Sequence, residues 1–208
     1  MRLAILGASG HGKVVAEAAR LSGWKEIILF DDAWPEILQS GIWEVAGDST
    51  SLVAQQERFD GVVVAIGNNR VRRSCQEFLM AAGFNPVTVF HPSAVISSSA
   101  VVGAGSVVLA NAVLNASARV GIGTIINTGA VVEHDCIVGS YSHISPNSVL
   151  AGGCCVGTEA WIGAGTSIKQ LVTVGERVTV GMGSVVLRDV PAGQTVVGVP
   201  ACPIKPQD

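Results

Sequence analysis

One histidine in this sequence has the neighbours that a general base needs. His134 lies in the segment Glu133-His134-Asp135-Cys136, with a carboxylate on either side. A carboxylate that accepts a hydrogen bond from the N–H of one imidazole nitrogen fixes the tautomer and raises the basicity of the other nitrogen. His134 and Asp135 are therefore a candidate catalytic pair. A charged turn at the protein surface would have the same sequence, so the segment alone leaves both interpretations open.

A second group of candidate residues follows apolar runs near the start of the chain. The turn Gly7-Ala8-Ser9-Gly10-His11-Gly12 comes after the run 3–6, Asp31-Asp32 after 27–30, and Gly67 after 61–66. A glycine-rich turn before a helix lets backbone N–H groups face a phosphate. Acidic residues after the second strand suit ribose hydroxyls or a base edge. Simple turns, with His11 on a surface loop, are the alternative.

These runs predict an α/β unit over residues 1–90. We expect parallel strands at 3–6, 27–30 and 61–66, a closing strand at 87–89, and helices at 13–21 and 71–82. The unit is Rossmann-like, but the dinucleotide fingerprint G-x-G-x-x-G has Ser9 in place of its middle glycine. That substitution argues against a nicotinamide oxidoreductase and still permits a diphosphate ligand.

A six-residue repeat governs the chain from residue 96 onward. Every sixth residue from Ile96 to Val186 is Ile, Leu or Val, and every position four later is small or β-branched. This period fits short strands joined by turns, with three strands closing an 18-residue triangular coil. Stacked coils pair at about 4.8 Å, which makes a prism roughly 25 Å tall. Residues 91–208 are therefore predicted to form a parallel β-helix with an extended C-terminal tail, and resemblance to known hexapeptide-repeat proteins implies the left-handed form.

The repeat also places the histidines on this prism. Val132 and Cys136 point inward, so His134 points outward, with Gly152-Gly153 one coil above it. His143 also points outward, but half a coil away from His134. Two such residues do not easily meet within one subunit, so a site that uses both would lie between copies of a homotrimer.

Composition excludes several classes of function. Charged residues are 14% of the chain and the net charge is −3, which argues against a nucleic-acid partner. No apolar run is long enough to span a membrane. Five cysteines without a C-x-x-C pair argue against a disulfide framework or a zinc site and favour a reducing cytoplasm.

Several segments together resemble one family. The chain is similar to the hexapeptide-repeat acetyltransferases that act on UDP-4-amino sugars, and more distantly to sialic acid O-acetyltransferases. The matching segments are GASGHGKVV at 7–15, DD at 31–32, AIGNNR at 65–70, HPSA at 91–94, INT at 126–128, EHDC at 133–136, HIS at 143–145 and VGVPA at 197–201.

The resemblance implies roles for single residues. His134 resembles the general base of the family. Asp135 resembles the residue that raises the basicity of this histidine, a position where the family often has Glu. Ser9, Gly10 and His11 resemble the diphosphate and sugar cradle, and Asp31, Asp32 and Gly67 the uridine side. Asn127 resembles a polar residue that lines the acceptor site, and His143 a contact of acetyl-CoA near the thioester carbonyl. Gly152, Ala164 and Met182, the last where the family usually has Gly, resemble residues lining the pantetheine groove.

The implied reaction is acetyl transfer from acetyl-CoA to the 4-amino group of a UDP-linked amino-dideoxy sugar, giving a UDP-N-acetylbacillosamine-type product. Cys136 is expected to point inward, which favours direct transfer over an acyl-cysteine, and no metal is expected. An O-acetyltransferase acting on sialic acid or another sugar hydroxyl is the alternative. A non-catalytic nucleotide-sugar sensor is a further one.

Overall fold

The structure, a computed structural model, describes residues 1–204. The first part is an α/β unit with a parallel sheet in the order β2-β1-β5. Its elements are β1 (Arg2–Leu6), α1 (Gly10–Leu21), β2 (Glu26–Phe30), β3 (Gln39–Ser40), β4 (Trp43–Glu44), α2 (Ser49–Ala54), a 3₁₀ turn (Gln56–Arg58), β5 (Gly61–Val64) and α3 (Asn69–Ala81). β1 and β5 are almost completely buried, whereas β2 is buried only at its carboxyl end, at Leu29 and Phe30.

Three details of this unit differ from the sequence-based expectation. Helix α1 begins at Gly10 rather than at residue 13, so Ser9 is its N-cap and His11 lies in its first turn. The β3–β4 hairpin and α2 were not predicted. The expected closing strand at 87–89 is reduced to a single parallel bridge: Pro86 pairs with Val62 and Val87 donates to the Val62 carbonyl, whereas Val89 already belongs to the β-helix.

The second part is a parallel β-helix of short strands. They are β6 (Val89–Phe90), β7 (Val95–Ile96), β8 (Val101–Val102), β9 (Val107–Val108), β10 (Val113–Leu114), β11 (Arg119–Val120), β12 (Ile125–Ile126), β13 (Val131–Val132), β14 (Ile137–Val138), β15 (His143–Ile144), β16 (Val149–Leu150), β17 (Cys155–Val156), β18 (Trp161–Ile162), β19 (Ser167–Ile168), β20 (Thr173–Val174), β21 (Thr179–Val180), β22 (Val185–Val186), β23 (Thr195–Val197) and β24 (Cys202–Pro203). The first strand lies just before the predicted boundary at residue 91, and residues 205–208 of the predicted tail are outside the described part.

The register confirms the predicted coil. Val113 pairs with Val131 and Ile125 pairs with His143, so the strands from β6 to β19 each pair with one 18 residues further along, whereas the last coil shortens this distance to 16. Three sheets form the three faces of the prism: one runs from β7 to β22, one from β8 to β20, and one from β6 to β24. The inward aliphatic and small residues, such as Ile126 and Cys136, are completely buried.

The α/β unit covers one face of the prism. Val107 and Ile125, which point out of the β6–β24 face, pack with Leu3, Val15 and Ala19 in one buried cluster. The carboxyl edge of the sheet lies at the level of β15, since Arg72 donates both to Ile66, after β5, and to Tyr141 and Ser142, before β15. This junction decides the surroundings of His143.

Candidate active site

His134 and Asp135 form a hydrogen-bonded pair on an exposed edge of the prism. The turn between β13 and β14 holds Asp135 in the left-handed region, with φ of 60°. This conformation brings its Oδ2 to 2.8 Å from Nδ1 of His134. The carboxylate accepts a hydrogen bond from Nδ1–H, so the lone pair of the neutral ring is on Nε2. Both side chains are more than half exposed, at 62% and 68%.

The electrostatics of this pair favour proton uptake. The hydrogen bond from Nδ1 to Asp135 is the main cause that raises the pKa of His134 above its ordinary value, and the Glu133 charge adds to it. A raised pKa makes the neutral imidazole a stronger base. The predicted general base therefore has the partner and the geometry that its role requires.

A cavity lies beside this base. It has a volume of about 320 Å³ and is lined by His134, Asp135, Gly152, Gly153, Gln170 and Leu171. Gly152 lies one coil above His134, as the repeat predicted, and a Cβ built there would lie 2.5 Å from Nε2. The absence of a side chain at this position keeps the basic nitrogen open to the cavity.

Replacement of Asp135 by asparagine tests this electrostatic arrangement. Asn adopts the left-handed region readily, so the turn is expected to persist. Loss of the carboxylate lowers the pKa of His134, and the acidic limb of the rate profile, where the base becomes protonated, moves to lower pH. At its optimum the variant is slower, because the weaker base takes the proton less readily. The measurement is the pH dependence of kcat/KM for both proteins, and an unmoved acidic limb contradicts the assignment.

The nucleotide-site candidates converge at the carboxyl edge of the sheet. Ser9, Gly10 and His11 follow β1, Asp31 and Asp32 follow β2, and Gly67 follows β5. Since these strands are parallel neighbours, their ends meet at one edge, as the sequence predicted. Ligands of open α/β sheets bind at this edge.

The two aspartates at this edge also stabilise the local backbone. Asp31 accepts hydrogen bonds from the backbone N–H groups of Ala8 and Ala33, and Asp32 accepts one from Ser49. These contacts match the alternative that the aspartates begin turns. The bond from Ala8 to Asp31 holds the glycine-rich turn against the end of β2. Contact of the two aspartates with a ligand stays a prediction.

His11 and His143 come together where the α/β unit meets the prism. Their ring centroids are 6.4 Å apart, and the His143 ring stacks on Trp161 at 5.2 Å. His143 points out of the prism, as predicted, but it is only 7% exposed because the α/β unit covers it. Exposure of His143 could not be judged from the repeat, since the repeat contains no information on what packs against the face.

Hydrogen bonds define the tautomer of His143. Oδ1 of Asn127 accepts the N–H of Thr128 at 2.8 Å, so Nδ2 is the atom that faces His143. This Nδ2 donates to Nε2 of His143 at 3.0 Å, which puts the ring proton on Nδ1. Nδ1 of His143 and Nε2 of His11 are both buried and have no partner in residues 1–204. Two ring nitrogens at the junction are therefore buried without a hydrogen-bond partner in the described residues.

Both of these rings are neutral near pH 7. Burial, together with the charge of Arg72, lowers the pKa of His11 to about 4 and that of His143 to about 3. His134 is shifted in the opposite direction. Of these three histidines, His134 is therefore the one suited to proton transfer, whereas His11 and His143 are suited to neutral hydrogen bonding.

The remaining predicted residues lie on two edges of the prism. Gly152 is in the edge that carries His134, whereas Ala164 and the 79% exposed Met182 are stacked in the edge that carries Asn127. His134 and His143 likewise lie on different parts of the prism, as the spacing predicted. One groove lined by Gly152, Ala164 and Met182 would need surfaces from two copies.

Sequence reasoning missed two residues of the junction. Arg72 is 1% exposed and donates to carbonyls of both parts of the chain, and Trp161 covers His143. Arg72 lies two residues after the AIGNNR segment, and its spacing of three residues from Asn69 was an available signal. In the described part of the chain, no helix is long and apolar enough to cross a membrane, and no group of three potential ligands could hold a metal.

The chain is similar to known proteins. Residues 2–79 match the PglD N-terminal domain family. The chain is 37% identical, over 111 residues, to the UDP-N-acetylbacillosamine N-acetyltransferase of Bacillus subtilis (strain 168). That match covers 52% of this chain and 51% of the relative, so it spans about half the length of the curated protein.

Two solved structures match nearly the whole chain. One is the acetyltransferase domain of PglB from Neisseria gonorrhoeae FA1090 in complex with acetyl coenzyme A, at 42% identity and a TM-score of 0.94, with 98% of each chain covered. The other is PerB from Caulobacter crescentus in complex with CoA and GDP-perosamine, at 40% identity and a TM-score of 0.92, covering 99% of this chain and 98% of that one. These matches confirm the predicted fold class of a Rossmann-like unit followed by a left-handed β-helix. The chain belongs to the hexapeptide-repeat family of sugar N-acetyltransferases.

Proposed function

We propose that the protein transfers an acetyl group from acetyl-CoA to the 4-amino group of a UDP-linked amino-dideoxy sugar. The observation that carries the proposal is the His134 ring, whose Nδ1 is bound to Asp135 at 2.8 Å while Nε2 faces the cavity beside Gly152. The choice of substrates is supported by the relatives, whose names include acetyl-CoA, CoA and nucleotide-linked amino sugars. The carboxyl edge of the sheet, with its glycine-rich turn, supports the nucleotide end of the site.

The proposed chemistry is direct transfer. As the amine nitrogen bonds to the thioester carbonyl carbon, Nε2 of His134 accepts its proton. When the carbon–sulfur bond breaks, the same nitrogen returns the proton to the departing thiolate. Cys136 and Cys154, the cysteines nearest His134 along the coils, are completely buried, which supports transfer without an acyl-cysteine.

The geometry also supports a homotrimer. His134 lies on an exposed edge of the prism, whereas the His11–His143 group lies beneath the α/β unit of the same chain. One active site that uses both groups would take His134 from one copy and the His11–His143 group from its neighbour. A monomeric mass in light scattering contradicts this arrangement.

The nature of the acceptor has two further candidates. The PerB complex contains GDP-perosamine and matches over the full length, which makes a GDP-linked amino sugar the second candidate. A sugar hydroxyl, such as that of sialic acid, is the third, and it would depend more strongly on the base because a hydroxyl is a weaker nucleophile than an amine.

Thiol release from acetyl-CoA distinguishes these acceptors. The purified protein is given UDP-4-amino-4,6-dideoxy-N-acetylglucosamine, GDP-perosamine or free sialic acid in parallel. We expect the fastest release with the UDP-linked amine. Faster release with GDP-perosamine would assign a GDP-linked substrate instead. Release with sialic acid alone would assign O-acetylation, and no release with any acceptor contradicts the proposal.

A further inference from the structure

Helix α3 presents three buried polar side chains to one edge of the β-helix. They are Asn69, Arg72 and Gln76, with exposed fractions of 7%, 1% and 1%. Their spacing of three and four residues places them on one face of the helix. A helix face that packs on another element is ordinarily apolar. This face is polar at each of these three positions, which requires matching polar groups on the prism.

The matching groups are backbone carbonyls of successive coils. Gln76 donates to Ala104 at 3.5 Å, Arg72 donates to Gly123 and to Tyr141 at 2.7 Å each, and Asn69 donates to Glu159 at 3.0 Å. Positions 123, 141 and 159 are stacked, one coil apart, and all three have positive φ. Residues three to four apart on a helix rise about 5 Å, close to the spacing of about 4.8 Å between coils. Each step along α3 therefore meets the next coil.

Arg72 joins this ladder to the nucleotide edge of the sheet. Its Nη1 donates to the carbonyls of Ile66 and Gly67, two and three residues after the end of β5, and its Nη2 donates to Oδ1 of Asn69. Among residues 1–204 no carboxylate forms an ion pair with Arg72, so its hydrogen bonds go to neutral oxygens, and the charge of Glu159 acts on it from beyond ion-pair distance. A buried cation without a direct ion-pair partner is a costly means of stabilisation, but its planar fork is suited to a fixed geometry.

We propose that Asn69, Arg72 and Gln76 form a register lock between α3 and the β-helix, and that Arg72 is a positioning residue for the His11–His143 group. His11 belongs to the α/β unit and His143 to the prism, so their separation depends on how the two parts are aligned. A shift of one coil would displace His11 from His143 by about 4.8 Å, too far for both rings to contact one ligand atom. The catalytic consequence rests on the proposed function, whereas the alignment itself does not.

The test compares Arg72→Met, Arg72→Lys and the control Arg73→Met. Arg73 is the adjacent residue, but it is exposed and pairs with Glu77 and Glu159. The protein has four histidines, so their ring signals in NMR spectra can be assigned one by one with single substitutions. We expect Arg72→Met to move or broaden the signals of His11 and His143 and to leave that of His134 in place. Arg73→Met should leave all four in place.

Kinetics supply the second readout. Misplacement of a site by about 1 Å can cost about 100-fold, so we expect a loss of roughly that size in kcat for Arg72→Met, with acetyl-CoA affinity changed by less than about threefold. Arg72→Lys keeps the charge without the fork and should recover only a small part of kcat. Full recovery with Lys, or unchanged His11 and His143 signals in Arg72→Met, overturns the proposal.

A less disruptive variant covers the case in which Arg72→Met does not fold. Asn69→Ala removes the bonds to Glu159 and Ala160 and one acceptor of Arg72, but it keeps the cation and its bonds to backbone carbonyls. Here we expect a smaller displacement of the His143 signal and a smaller loss of kcat, and unchanged values of both overturn the proposal. If the wild-type protein transfers no acetyl group, the proposed function fails, and the histidine signals still decide whether the lock exists.

Discussion

Replacement of His134 by alanine is expected to lower kcat by roughly 10²–10⁴-fold, the usual contribution of a positioned general base. The KM values should change little, because the proton transfer occurs only in the transition state. The side chain is 62% exposed, so its loss should leave the thermal stability of the protein nearly unchanged. Steady-state kinetics, together with calorimetric titration of acetyl-CoA, measure both expectations.

His91→Ala is the matched control for this variant. His91 lies at the junction of the two parts of the chain, where its Nδ1 accepts the backbone N–H of Ser93. It lies on a different edge of the prism from His134, and the proposed mechanism gives it no role. Turnover of the control should stay within about twofold of the wild type, the range of a change outside the site. Near-normal turnover of His134→Ala refutes the assignment of the base.

Replacement of Gly152 by alanine is expected to impair catalysis with little loss of stability. Gly152 does not have a positive φ, so alanine fits its backbone without strain. The new Cβ, however, would lie 2.5 Å from Nε2 of His134, and this exposed ring must move away. Displacement of a catalytic group by about 1 Å costs about 100-fold, and we expect a fall in kcat of that order. Kinetics and the melting temperature are the measurements.

A double variant shows whether Gly152 acts through His134. If the methyl group harms catalysis by displacing the base, Gly152→Ala should have no further effect on kcat in the His134→Ala background. The two single effects are then far from additive, as expected for residues in contact. Additive effects would show that Gly152 acts on substrate binding instead, and a lowered melting temperature would show general damage.

The pattern along the chain was sufficient to predict most of the architecture. In a β-helix each residue pairs with one at a fixed distance in sequence, so the register follows directly from the period, as the pairing of Val113 with Val131 shows. The same reasoning placed Cys136 inside, His134 outside and Gly152 above His134. In the α/β unit, parallel strands required the three candidate loops to meet at one edge. Short elements such as the β3–β4 hairpin, which carry little periodic signal, escaped prediction.

The packing of the α/β unit on the prism was decided by the tertiary structure alone. No local pattern shows which face of a regular coil will be covered, because all three faces repeat alike. Because the α/β unit covers this face, His143 is only 7% exposed and the pKa values of His11 and His143 are lowered. The two ring centroids are 6.4 Å apart. It also gave the polar face of α3 its partners. The repeat and the exposed position of His134 beside Asp135 follow from the local pattern, whereas the neutral histidine pair and the buried hydrogen bonds of Arg72 arise from contacts between residues distant along the chain.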